Sequence, residues 1–149
     1  MRPRAYPVKA VFYSWVLLLA LSSPAASAAP AVSGSYRVVD ATDLGTDVRV
    51  TLSIRLTNPA DNVLLISKVG LLGLTPAAHV TEEVPVSVNI EPNSSSSFTQ
   101  DFTIPKAAYE LMGKGFRPRL ILQVQPAGGA ETKATISLTP AFGSRSHLP

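Results

Sequence analysis

The chain has 149 residues, no cysteine and a formal net charge of +3. That length can bury one unstapled core, while the missing thiols exclude disulfide frameworks, cysteine nucleophiles and lipid attachment at a leader cysteine. The positive excess does not argue for a nucleic-acid partner: Arg2, Arg4 and Lys9 carry it, and without these three of the 13 basic residues the chain balances its 10 acidic ones, leaving little pull on phosphate.

Those three cations open the sequence, and an apolar run from Ala10 to Leu21, broken only by Ser14, follows them. Ala26 and Ala28 then offer the small side chains of a cleavage site. Residues 1–28 are therefore expected to be a signal peptide cut after Ala28. The apolar run is too short to span a bilayer core, which takes about 20 residues, so no membrane insertion is expected after cleavage and the product is expected to be periplasmic or secreted. Residues 29–34 are expected to be disordered, 35–139 to form one β-domain, and 140–149 to be a flexible tail.

Within the expected domain, "SYRVVD" (35–40) reads as a short edge strand. "DVRVTLSIRLTN" (47–58) alternates without fault, Val48, Val50, Leu52, Ile54 and Leu56 against Arg49, Thr51, Ser53, Arg55 and Thr57. Period two and β-branched content specify a half-buried strand. Asn58 and Pro59 end it in a turn. "VLLISKVGLLGL" (63–74) is almost continuously apolar, punctuated by Gly70 and Gly73, and is expected to give a central strand and a short second one, with facing parity unresolved. "TPAAH" is expected to be a loop, and alternation resumes through Val84, Val86, Val88 and Ile90, with Pro85 placing this strand at a sheet edge.

Four serines, Ser94 to Ser97, interrupt the pattern before Phe98, Phe102 and Ile104 resume it, with Gln100 the polar exception on that face. Neither flank has strands enough for its own core, so Glu91 to Ser97 are expected to be a hairpin connection and not a linker between domains. Asn93-Ser94-Ser95 matches the glycosylation sequon, a short motif read here as part of that turn. "PKAAYELMGKG" is the one helical stretch, with Pro105 suited to its first turn, Gly113 able to end it, and Tyr109 and Met112 to seat it. "RPRLILQVQP" and "TKATISLTP" close the pattern as strands around an "AGGAE" turn. About seven short strands at this spacing predict an all-β fold, a two-sheet antiparallel immunoglobulin/fibronectin III-like sandwich with one short helix. A small closed barrel is the alternative.

The segment "VRVTLSIRLTNPADNVLLISKVGLLGL" resembles the late-embryogenesis-abundant type 2 (WHy) domain, where an alternating strand runs into an Asn-Pro turn and then a hydrophobic strand; Ala60 and Asp61 depart from the further Asn common there. "VNIEPNSSSSFTQDFTIP" is similar to the strand, proline-bearing turn and strand of that domain and of exported bacterial immunoglobulin-like domains. The resemblance implies a β-sandwich, a protective role under water stress, and no catalytic residues.

No catalytic constellation is assembled in the sequence. His79 lies in a loop without a nucleophile beside it and His147 in the tail; Glu82 and Glu83 are adjacent and on a strand would face opposite ways. No Cys/His spacing suits zinc, and Asp40, Asp43 and Asp47 read as turn and surface carboxylates, not a calcium loop. No cofactor is expected. Trp15 leaves with the leader, and most other aromatics fall at core positions. The one cluster left is "GKGFRPR", where Lys114, Phe116, Arg117 and Arg119 surround a glycine-rich loop at the head of a strand and could hold a carboxylate or an acidic loop of a protein partner. The expectation is a non-enzymatic exported binding protein acting through that loop or through strand addition at the "SYRVVD" edge. A WHy-like stabiliser of client proteins is the alternative.

Overall fold

The computed structural model describes residues 30–73 and 81–141. The expected signal peptide, the expected "TPAAH" loop with His79, and the expected tail from Phe142 with His147 lie outside the described residues.

Seven strands and one helix occupy the described residues: β1 (Ser33–Asp43), β2 (Asp47–Asn58), β3 (Leu64–Leu72), β4 (Val84–Ile90), β5 (Ser94–Pro105), α1 (Lys106–Gly113), β6 (Arg119–Pro126) and β7 (Thr132–Pro140). The class is all-β, as the periodicities predict. The arrangement is not plainly two stacked sheets. The strands form one seven-stranded sheet in the order β4-β3-β6-β7-β1-β2-β5, nearly closed on itself like a barrel. Its pairings are antiparallel except for one parallel seam, where Gly34, Ser35 and Tyr36 of β1 meet Leu138, Thr139 and Pro140 of β7.

Period-two patterning decides the core. All five apolar residues of the β2 alternation are buried, and Leu64, Ile66, Leu120, Leu122, Val124 and Leu138 from β3, β6 and β7 reach no solvent. Each such side chain contributes about 1.5 to 3 kcal/mol relative to exposure. Residues on both sides of the serine tract enter this same cluster, Ile90 before it and Phe102 and Ile104 after it.

β3 shows why its parity was unreadable. Leu64 and Ile66 face inward, as do Val69 and Leu71, so the inward set changes from even to odd numbers along one strand. The register shifts between Ile66 and Lys68 against both neighbours: opposite β6, Ser67 is an extra residue of β3, and opposite β4 the strand takes two steps while β4 takes three. Such a bulge reverses the facing of everything beyond it. The apolar run is consequently one bulged strand and not two.

β1 differs from the expected short edge strand. It has 11 residues, begins within the segment expected to be disordered, and lies inside the sheet between β7 and β2. Val32, just before it, is buried in the core. Only the seam is paired on both sides; from Arg37 to Asp43 the strand pairs with β2 alone, with a bulge at Val39.

The serine tract also differs from expectation. Ser94 to Ser97 are ladder residues of β5, opposite Asn58, Thr57, Leu56 and Arg55 of β2. The turn is only Glu91 to Asn93, where Asn93 adopts φ 51°, a left-handed conformation that Asn tolerates better than most residues. Nor is it a hairpin: β4 pairs with β3, and β5 with β2. The three residues instead connect the two ends of the sheet order.

Pro105 precedes α1, with φ −56° and ψ 141°, and no side chain caps the helix. The Lys106 N–H donates to the Thr46 carbonyl at 3.0 Å, and the Lys106 ammonium pairs with Asp43, tying the helix start to the β1–β2 turn. That ammonium, and then the Gly45 N–H that donates to the carboxylate at 2.8 Å, hold the Asp43 carboxyl below its ordinary value. A carboxylate shifted down stabilises the fold above pH 3.8, its ordinary pKa, and that contribution disappears as pH falls through the lowered value. Asp43→Asn is therefore expected to shrink the loss of melting temperature between pH 6 and strongly acidic buffer; an unchanged pH profile would remove this pair from the acid response.

Candidate interaction loop

The candidate loop is built by the end of α1. Past Gly113, the Phe116 N–H donates to the Leu111 carbonyl at 3.1 Å and the Gly115 N–H to the Met112 carbonyl at 3.0 Å, with Gly115 at φ 93°. This double closure around a left-handed glycine is the Schellman motif. Gly115 makes the reversal and Gly113 remains helical, so the glycine expected to end the helix is displaced by two residues. Met112 and Ala108 are buried, and Tyr109 packs against the core from its margin, which seats the helix as its spacing predicts.

The loop is anchored at its far end too. Pro118 is buried and its carbonyl accepts the Leu138 N–H of β7 at 2.9 Å; Arg119 then begins β6, opposite Leu72 and Ser137. Between these anchors Lys114, Phe116 and Arg117 are exposed, as is Arg119. Phe116 is 55% exposed, the largest value among the large apolar residues described. A Schellman motif commonly folds the residue after its glycine back onto the helix; here that residue is an aromatic turned to solvent. None of the three cations joins either ion pair formed among the described residues, Lys106–Asp43 and Lys133–Glu83. The result is a backbone-fixed loop presenting one ring and two cations, with a third, Arg119, at the head of β6, none of them in an ion pair among the described residues; such a set suits carboxylates and aromatic or apolar contact.

Several other residues singled out in the sequence have structural partners. Tyr36 and Phe102 are buried, and Phe98 and Tyr109 half-buried against the core. Glu83 pairs with Lys133 at 2.6 Å, while Glu82 is exposed. Asp43 is engaged by Lys106 and Gly45, and no group of three or more metal-ligating side chains comes together among the described residues.

Sequence reading missed the role of Asn58, the one buried polar residue described. Its amide nitrogen donates to the carbonyls of Asn62 at 2.7 Å, Ile90 at 3.1 Å and Glu91 at 3.2 Å, and its oxygen accepts the Ala60 N–H at 3.0 Å. Asn93 strengthens the junction, its backbone N–H reaching the Ala60 carbonyl and its side chain Asp61, each at 3.1 Å. The Asn-Pro turn thus binds the β2–β3 connection to the β4–β5 connection. The only sequence signal was the Asn58-Pro59 pair, which marks a turn without saying that its side chain is enclosed.

No protein-family profile and no curated protein matches the sequence. Solved structures do. The chain is similar to a structural-genomics target designated SoR45, at 12% identity and TM-score 0.43, covering 79% of this chain and 90% of the other. A structural-genomics target from Bordetella pertussis matches at 13% identity and TM-score 0.41, over 76% and 94% of the two chains. A protein of Arabidopsis thaliana, AT1g01470, solved in solution, matches at 17% identity and TM-score 0.37, over 78% and 86%.

Proposed function

We propose that this chain is an exported, periplasmic or secreted, non-catalytic interaction protein that grips an acidic protein partner with Lys114, Phe116, Arg117 and Arg119. The single observation that carries the reading is Phe116, 55% exposed at a loop whose backbone is fixed at both ends. A preorganised loop loses little conformational freedom on binding, and aromatic and arginine side chains dominate interface energetics. The strand order supports an immunoglobulin/fibronectin III-like arrangement beneath it, with β5-β2-β1 as one layer and β4-β3-β6-β7 as the other, joined at the β1–β7 seam.

The test is capture from periplasmic extract by the intact protein and by the Phe116→Ala/Arg117→Ala variant. Loss of the partner by at least ~10-fold, with a melting temperature within a few degrees of the parent, is the expected outcome; a cation-dependent contact should also weaken as salt rises. Undiminished capture by the variant would eliminate the loop.

A second reading is a WHy-like stabiliser of client proteins under water stress. It is supported by the hydroxyl-rich outer rows of β2 and β5, where Ser53 lies opposite Thr99 and Thr57 opposite Ser95, with Thr51 and Ser97 in the same rows, hydroxyls that could replace water hydrogen bonds on a drying client. Protection of unrelated enzymes against aggregation on drying, retained in the Phe116→Ala/Arg117→Ala variant, would favour this role over the loop.

A further inference from the structure

The two ends of the sheet are built differently. At one end β4 is short, seven residues, carries Pro85, and changes register against β3 partway along. These are the devices by which natural edges resist further pairing. At the other end β5 has 12 residues in unbroken register with β2, from Asp47↔Pro105 to Asn58↔Ser94. It has no bulge, no proline before Pro105, and Asp101 as its one charge. No described strand pairs with its outer side.

The inward row of β5 is unfinished over the same stretch. Phe102 and Ile104 are buried, but Ser94, Ser96, Phe98 and Gln100 are only half-covered. An added strand would complete the cover of Phe98 while satisfying the outer backbone N–H and C=O groups of β5.

We infer that β5 is a self-pairing edge, joining antiparallel to β5 of a second copy of this chain in a two-fold dimer with a sheet continuous across both. The strand's own chemistry argues for a second copy as occupant. A two-fold axis at Thr99 sets Thr99 opposite Thr99, Phe98 opposite Gln100, Ser97 opposite Asp101 and Ser95 opposite Thr103. No like charges meet in that register, and each Asp101 faces a hydroxyl. β5 already pairs in this manner with β2: Asp101 accepts the Thr51 hydroxyl at 2.7 Å, and Ser95 and Thr57 share a hydroxyl hydrogen bond of 2.8 Å. The balanced charge of the chain beyond its leader adds no net repulsion between copies. This surface is separate from the Phe116 loop, and neither inference depends on the other.

Sedimentation velocity of the protein as purified from its producing cells, at tens of micromolar, should give the mass of a dimer. Thr99→Lys and Thr99→Glu each place like charges face to face and should weaken self-association by at least ~10-fold; mixing the two variants in equal amounts should restore the dimer. Far-ultraviolet circular dichroism like the parent's would show that both variants fold. A monomeric parent, a dimer indifferent to both substitutions, or a mixture that stays monomeric would each overturn the inference.

Discussion

Asn58→Asp is expected to destabilise the protein by about 3 to 5 kcal/mol at pH 7, among the largest effects of any single substitution here. The amide nitrogen of Asn58 faces three carbonyl oxygens, of Asn62, Ile90 and Glu91, in a site without solvent. A carboxylate of the same shape would direct negative charge at all three and leave each without its donor. The sign with pH is fixed. The introduced carboxyl has its pKa raised in the fold, so the loss is greatest above that raised value and lessens as pH falls through it and the group becomes a donor. Asn58→Ala, which removes the donors without adding charge, should cost about 2 to 4 kcal/mol with no such pH dependence. Urea denaturation of both variants at pH 7 and pH 5 separates the two contributions. A loss within about 0.5 kcal/mol for either, the range of ordinary surface changes, would mean that Asn58 does not hold the junction.

That size reflects position. β4 and β5 end the sheet order on opposite sides and do not pair with each other, so the ends are drawn together by the connection between them and by the Asn58 and Asn93 hydrogen bonds. Losing those bonds loosens the closure of the sheet as well as one turn.

Gly34→Ala is the second large effect expected, at about 1 to 3 kcal/mol. A Cβ on Gly34 would stand 2.7 Å from Leu138 Cδ2, 3.0 Å from Ile136 Cδ1 and 3.1 Å from Leu56 Cδ2. Side-chain ends can often swing aside, but Leu138 and Leu56 are fully buried, and packed interiors offer little room. The site is also where β1 meets β7 across only three residue pairs, so strain there acts on the sole parallel link in the sheet. A double-mutant cycle tests the cause. Leu138→Ala alone should cost about 2 to 5 kcal/mol, and the double variant should lose less than the sum by at least ~1 kcal/mol, because the smaller residue vacates the space that the new methyl needs. Strict additivity would show that Gly34 is required for some reason other than this contact.

The site was legible to a different degree than the fold. Lys114, Phe116, Arg117 and Arg119 could be singled out because an aromatic among cations in a glycine-punctuated loop is a local pattern. Whether the ring faced the core or solvent depended on the Leu111 and Met112 carbonyls closing the turn, which the residue types alone do not fix. The serines of β5 misled for a related reason. Ser suits turns by its own hydrogen bonding, yet opposite Thr57 and Arg55 of β2 the same residues serve as a ladder, because cross-strand pairing outweighs a weak local preference.

From the sequence alone came the all-β class, the inward face of β2, the helix after Pro105 and the edge position of β4, since each follows from side-chain alternation or from backbone chemistry within a dozen residues. Tertiary structure decided which strands are neighbours, the parity change at Ser67, the interior place of β1 and the enclosure of Asn58. These depend on residues far apart in the chain competing for the same hydrogen bonds and the same volume, and no local period records the outcome of that competition.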